Sequence, residues 1–250
     1  MKVLAVNIRS GGNAPTLSRL VDRCAQHDPD VVVYSEYRDT GAGARLREYA
    51  GRAGLEHQAW IRGHRGNGVL IASRAAFEGI QNPFGLGDDE YPNGVLLARF
   101  ERLDLFGAYL PGQDRKRPHL RCLIAAAQRY NERGLAAMAI GDFNSGRNDH
   151  DIEINVRTGR LADAFSTADL YAELERYWTE AWLYRHPRTL EFSWYPFRLD
   201  PAYEGRNGWR IDKAFVSATV LPKVRSADYD HGFRQERLTD HSALVVRLDV

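Results

Sequence analysis

Ala136-Ala137-Met138-Ala139-Ile140-Gly141-Asp142-Phe143-Asn144 is the stretch on which the reading turns. Five apolar residues in a row predict a strand that runs to Gly141. The glycine permits a close backbone turn, and Asp142 and Asn144 point the same way if the segment stays extended. A carboxylate and an amide then lie side by side. One can take a proton from water or hold a metal; the other can hydrogen-bond a phosphate oxygen. The same residues would also serve as an Asx-turn that merely caps a strand, so the rest of the chain has to decide.

On either side, apolar runs close on polar residues in the same manner. The opening strand, about residues 2–8, carries Asn7. A helix is predicted over Thr16–Gln26, with Leu17, Leu20, Val21 and Cys24 on one face. The strand Asp30–Tyr34 ends in Ser35-Glu36. Further strands are read at 67–73, 94–100 and 103–110, with Glu101-Arg102 turning the last two into a hairpin and Tyr109 near the end. A second long helix is expected over Lys116–Arg133. The C-terminal third reads as strands at 192–195, 210–217, 224–229 and 242–249, after a helical, loop-rich region rich in aromatics. Tyr171, Tyr177, Trp178, Trp182 and Tyr184 in that region are read as core. Strands and helices mixed in this order predict two β-sheets packed together with helices outside.

Each polar closure is weak alone, but Asn7, Glu36, Tyr109, Asp142, Asn144, Asp212, Asp240 and His241 form a series that structural chance does not supply. Glu36 ends four apolar residues and needs something to compensate it. Mg²⁺ takes hard oxygen ligands, keeps several waters and is satisfied by one or two carboxylates. His241 adjoins Asp240, and Asp212 ends another apolar segment. A carboxylate bonded to imidazole fixes its tautomer and favours its charged form, as a phosphate-facing histidine requires. The remaining histidines, His64 among them, are read as structural or solvated.

The bulk numbers constrain class more than chemistry. Hydrophobic residues at 44% and charged residues at 27% are ordinary globular values. No apolar run approaches the ~20 residues of a membrane span, and the N-terminus turns polar too early for a secretory signal. A soluble, cytoplasmic protein is expected. Cys24 and Cys122 are too few and too far apart for a disulfide framework or a zinc site. Net charge is +1, which neither favours nor excludes nucleic acid. Thirty arginines against four lysines suit phosphate binding, although genome base composition produces the same bias.

Taken together, Asn7, Glu36, Gly141-Asp142-Phe143-Asn144, Arg210-Ile211-Asp212 and Thr239-Asp240-His241 resemble the endonuclease/exonuclease/phosphatase (DNase I-like) superfamily over nearly the whole chain. Ala108-Tyr109-Leu110-Pro111, Phe192-Ser193-Trp194 and Gly208-Trp209-Arg210 are similar to the exonuclease III and AP-endonuclease branch. The resemblance implies one domain, 1–250, with a four-layered α/β sandwich fold: two packed mixed β-sheets flanked by helices. It also implies an Mg²⁺-dependent (alternatively Mn²⁺-dependent) phosphodiesterase cutting DNA, as an AP endonuclease, a 3′-5′ exonuclease or both. In that reading Tyr109, Asp142, Asn144, Asp212 and His241 are catalytic, and Asn7, Glu36 and Asp240 hold metal. Trp194 and Trp209 contact substrate. A monomer with no membrane or obligate protein partner is expected. Departures stand at Ser35, where the family usually has Gln, at Thr239 for Ser, and at Lys213-Ala214, where apolar or aromatic residues are usual. The rival readings are a relative acting on RNA, nucleotides, inositol phosphates or phospholipid headgroups, and an inactive binding protein.

Overall fold

Alternation along the buried strands sorts the side chains into layers. In the first strand, β1 (Lys2–Asn7), Val3 and Ala5 turn to one side and Leu4 and Val6 to the other, and all four are fully buried. Residues 1–12, 14–61, 66–87, 94–197 and 207–250 are described by a computed structural model; His64 lies outside them. The chain continues through α1 (Ala14–Gln26), β2 (Val31–Tyr37), α2 (Gly41–Arg52), β3 (His57–Trp60) and β4 (Gly68–Ser73). Next come β5 (Glu78–Gln81), β6 (Val95–Arg99), β7 (Asp104–Tyr109), α3 (Arg117–Glu132) and β8 (Ala137–Asp142). The last third holds α4 (Glu153–Thr158), α5 (Ala168–Leu174), β9 (Thr179–Glu180), α6 (Ala181–Arg185), β10 (Asp212–Val216), β11 (Val224–Asp230), α7 (Gly232–Gln235) and β12 (Ala243–Leu248).

Two six-stranded mixed sheets result, ordered β11-β12-β1-β2-β4-β3 and β5-β6-β7-β8-β10-β9. Val3, Ala5, Val31, Val33, Ile71, Leu105, Met138, Ile140, Ala214 and Leu244 fill the layer between them. On the outer face of the first sheet, Leu4, Val6 and Val32 pack against Leu17, Leu20 and Cys24 of α1 and Leu46 of α2. On the outer face of the second, Phe106, Ala139 and Phe215 pack against Leu120, Leu123 and Ile124 of α3 and Leu170 and Leu174 of α5. The four-layered sandwich is therefore the arrangement found.

The differences from the sequence reading have local causes. No regular strand covers 192–195: only Trp194 pairs, bridging Trp209 and His241. The helix α2 went unread because Gly41 and Gly43 occupy its first turn. There Thr40 caps the helix and accepts from Gly43 N. Gly43 is required by packing, since a Cβ would lie 2.0 Å from the Arg38 carbonyl. The strands β3 and β5 are short, polar edge strands without the apolar run that marks central ones. Tyr171, Trp178 and Trp182 are core as expected, whereas Tyr184 is half exposed. Cys24 and Cys122 form no disulfide. No described helix is long and apolar enough to cross a membrane.

Behind β10 lies a fully buried set of charges. Arg210 bonds Asp151 and Glu180, and Lys213 reaches the same two carboxylates at 2.9 and 3.5 Å. Burial alone would push both acids up, but the facing cations hold them below the ordinary carboxylate range. Tyr171 donates to Glu180 (2.7 Å), and Arg147 N donates to Asp151 (2.8 Å). The set ties the loop after Asn144 to β9 and β10. It also explains the unusual Lys213: its charge answers Glu180 on the neighbouring strand. Lys213→Met removes one cation from a closed set and should cost about 3–5 kcal/mol in urea unfolding. Lys213→Met with Glu180→Gln, which removes one charge of each sign, should recover part of that loss. Equal midpoints for Lys213→Met and the parent chain would contradict this account.

Candidate active site

Strand register delivers the polar series to one rim. In the second sheet Tyr109, Asp142 and Asp212 are direct partners across β7, β8 and β10. In the first sheet Asn7 is paired with Ser35 across β1 and β2, and Thr239 before β12 donates to the Asn7 carbonyl (2.7 Å). The sheets are joined here. Asn7 Nδ2 donates to Asp142 Oδ2 (2.8 Å), Ser35 Oγ donates to the Ala108 carbonyl (2.9 Å), and Asp142 N donates to Ser35 Oγ (3.3 Å). Within the second sheet Gly141 is required by the pairing of β8 with β7: its φ is +142°, and a Cβ there would lie 2.0 Å from the Ala108 carbonyl.

Glu36 occupies a bulge. The pairing of β2 with β4 slips between Ser35 and Tyr37, and Glu36 itself has φ +59°. A β-bulge re-aims its extra residue away from the pleat, and a left-handed non-glycine persists only where its surroundings hold it. Here Asn7 Nδ2 (3.1 Å) donates to one carboxylate oxygen, and Asn67 Nδ2 (2.9 Å) and the Ser10 amide donate to the other. Asn67 Nδ2 also reaches the Tyr109 hydroxyl (3.3 Å). Burial, with the Glu36 charge adding to it, pushes that hydroxyl up to about 12, so it is protonated at neutral pH.

Asp142 is fully buried and accepts from Asn7, from the Asn144 amide N (2.8 Å) and from Asn144 Nδ2 (3.3 Å). Burial raises its pKa to about 7, with Asp212 and Glu36 adding and His241 opposing. His241 Nδ1 lies 2.9 Å from Asp212 Oδ2. Burial would lower the imidazole, but Asp212, Asp142 and Asp240 outweigh it and raise it to about 10. His241 is then a cation whose Nε2 has no protein partner among the described residues. Asp212 is in turn fixed by Ser193 Oγ, 3.1 Å from its amide N.

The ten residues singled out from sequence separate into an inner and an outer group. Asn7, Glu36, Tyr109, Asp142, Asn144, Asp212 and His241 are interlocked as described. Asp240 faces outward, with Arg9 Nε at 3.7 Å and Trp194 Nε1 at 3.3 Å. Trp194 packs against His241, with centroids 6.4 Å apart, and edge-on to Trp209 at 5.9 Å. Trp209 backs Trp194 one step away and packs on Phe165.

Asn67, Ser35 and Lys116 were missed. Asn67 precedes β4, which runs antiparallel to β2, so the rim receives the beginning of that strand rather than its end. Asp212 and His241 also lie at strand beginnings, because β10 and β12 are antiparallel to their neighbours. The reading that polar residues close apolar runs is corrected accordingly: the shared feature is the rim. Lys116, buried at the start of α3, donates to the Asn144 carbonyl, and burial lowers it to about 8. Nothing in a charged Arg115-Lys116-Arg117 run marked the middle residue as the buried one.

Among solved structures, the 3′-5′ exonuclease NExo of Neisseria meningitidis superposes with a TM-score of 0.82. An AP endonuclease from Archaeoglobus fulgidus and the Neisseria 3′-phosphatase NExo bound to a product DNA hairpin each give 0.79. Each is 19% identical to this chain, and coverage is 100% in both directions. No curated protein matches the sequence. The family model described as Endonuclease/Exonuclease/phosphatase family matches residues 4–241. Since that match runs from the first strand through His241, the chain belongs to the endonuclease/exonuclease/phosphatase family and is a hydrolase of phosphoesters.

Proposed function

We propose that the chain is an Mg²⁺-dependent phosphodiesterase that cuts DNA, at abasic sites or by trimming 3′ ends. The observation that carries the reading is the opposition of Asp142 and the Asp212–His241 pair, with an aromatic wall beside the imidazole.

The donor set fits a hard divalent cation. Four carboxylates, Glu36, Asp142, Asp212 and Asp240, share the rim with the cations His241, Arg9 and Lys116, and burial together with the neighbouring carboxylates raises Asp142. Among the described residues no three His, Cys, Asp or Glu side chains form a closed ligand cage. Mg²⁺ needs only one or two carboxylates beside water and substrate. Glu36 would hold the ion, with Asn7 orienting the carboxylate and Asp240 at its flank. Bound there, Mg²⁺ would neutralise charge on the phosphate and on the leaving alkoxide.

Protein groups supply the remaining steps. Asp142, oriented by Asn7 and Asn144, accepts a proton from the attacking water; a base whose pKa is near the working pH does this most effectively. Cationic His241 donates from Nε2 to a phosphate oxygen as negative charge builds, and Asp212 keeps the ring in the required tautomer. Tyr109, held protonated, donates to the phosphate near the leaving group. Trp194, backed by Trp209, gives an exposed nucleoside or an abasic sugar an apolar surface to pack against.

Three outcomes are expected. Asp142→Asn should lower kcat by about 10²–10⁴-fold with an unchanged circular dichroism spectrum; an active variant would remove the proposed base. Asp212 raises the His241 pKa, so Asp212→Asn leaves burial dominant and the imidazole loses its proton at lower pH. The alkaline limb of kcat/KM should therefore move down by more than about one unit, and an unmoved limb would separate His241 from the rate. Finally, a labelled duplex with a central abasic-site analogue should be incised or trimmed with Mg²⁺ and left intact with EDTA. Phosphate release from small phosphoesters with both duplexes untouched would keep the chemistry and exclude DNA.

A further inference from the structure

The catalytic rim opens on one side into a groove of about 290 Å³, lined in part by Arg9, Ser10, Phe197, Arg237 and Leu238. It is joined to the site through one hydrogen-bonded residue and one covalent neighbour. Ser10 donates to Glu36 through its amide and, at 3.3 Å, its hydroxyl. Leu238 precedes Thr239, which bonds the Asn7 carbonyl. No residue of the chemistry described above uses this groove.

Its backbone is costly. Arg9 and Ser10 have φ of +55° and +54°, and Arg237 has +56°, in a region that L-residues with a Cβ rarely enter. At the first of these positions the catalytic residues themselves hold the chain. Arg9 N donates to Asn7 Oδ1 (2.8 Å), Ser10 N to the Glu36 carboxylate, and Gly11 N to the Glu36 carbonyl (2.8 Å). Folding of the site therefore fixes where Arg9 stands. Its guanidinium lies over the Phe197 ring, 4.7 Å from the centroid, with Nε 3.7 Å from Asp240. Arg237 makes no ion pair among the described residues.

The charge distribution then has a direction. Glu36, Asp142 and Asp212 make the centre of the rim acidic, which repels a polyanion, while the two guanidinium groups stand together on this flank. Guanidinium groups suit phosphate by charge and by planar donor geometry. We propose that the groove binds the phosphate next to the scissile one, so that the enzyme prefers a chain of phosphodiesters over an isolated phosphoester. This rests on the DNA reading above and adds to it the side of the site along which the strand runs.

Fluorescence anisotropy with a labelled DNA oligonucleotide in EDTA, across a NaCl series, tests the idea on the parent chain, Arg9→Ala, Arg237→Ala and Arg237→Lys. Each alanine variant should bind about tenfold more weakly, and its slope of log Kd against log salt should be shallower by about one. Arg237→Lys should restore the slope while recovering only part of the affinity. In steady-state cleavage of the oligonucleotide with Mg²⁺, Arg237→Ala should raise KM far more than it lowers kcat. Parent-like slopes in both alanine variants, with DNA still bound and cut, would overturn the subsite alone. A parent chain that neither binds nor cuts oligonucleotides would overturn the subsite together with the DNA reading.

Discussion

Asn7 and Ser35 belong to the first sheet, and both bond to β7 or β8 of the second. Packed sheets stand about 10 Å apart across side-chain layers, and along most of the interface apolar residues keep these two at that separation. At the rim, the polar side chains of Asn7 and Ser35 bond directly across to the second sheet instead. The site depends on this junction because its members come from opposite sheets: Glu36 and His241 from the first, Tyr109, Asp142 and Asp212 from the second. A small hydroxyl at residue 35 suits the junction, since one oxygen both donates to the Ala108 carbonyl and accepts from Asp142 N.

Electrostatics divides the buried polar residues into two sets with different logic. The Arg210–Asp151–Glu180–Lys213 set balances two cations against two anions and makes the loop after Asn144 part of the sheet. At the rim the balance is toward negative charge, so burial raises Asp142 with too little positive charge to offset it, while Asp151, equally buried, is held down by Lys213 and Arg210. The same burial has opposite outcomes because the neighbours differ. Asp212 lies between the two sets in sequence, with Arg210 two residues before it and Lys213 directly after. Its own side chain nevertheless turns to His241: Lys213, the next residue of β10, faces the opposite side of the sheet, and Arg210 precedes the strand.

Much of this was legible in the sequence. The central strands announce themselves through apolar runs of the right length, and the amphipathic faces of α1 and α3 follow from their spacing. Gly141-Asp142-Phe143-Asn144 and Thr239-Asp240-His241 place the groups of the proposed chemistry in recognisable order. What escaped depends on pairing direction and on burial decided by tertiary contacts. Asn67 was hidden because nothing local says that β4 enters the rim by its beginning. Lys116 was hidden because its flanking arginines look the same in sequence, yet Arg115 is exposed and Arg117 half-buried. The helix α2 was hidden because a glycine chosen for close packing against the Arg38 carbonyl reads as a helix breaker. Residues 192–195 read as a strand because the aromatic run has the right composition, yet only Trp194 finds a bridging partner.

The bulge at Glu36 has a bearing on how such a chain can change. An extra residue in a ladder is the one position a strand can lose without disturbing the pairing of the others. Excising Glu36 would let Ser35 and Tyr37 follow one another as they already pair, against Val69 and Gly68, and would relieve a left-handed backbone. Such a shortened protein gives up the carboxylate that Asn7, Asn67 and Ser10 hold at the rim while losing none of the apolar layers. At this single position inheritance can part the scaffold from its chemistry, and a lineage that needed only the surface would find a one-codon route to a silent descendant.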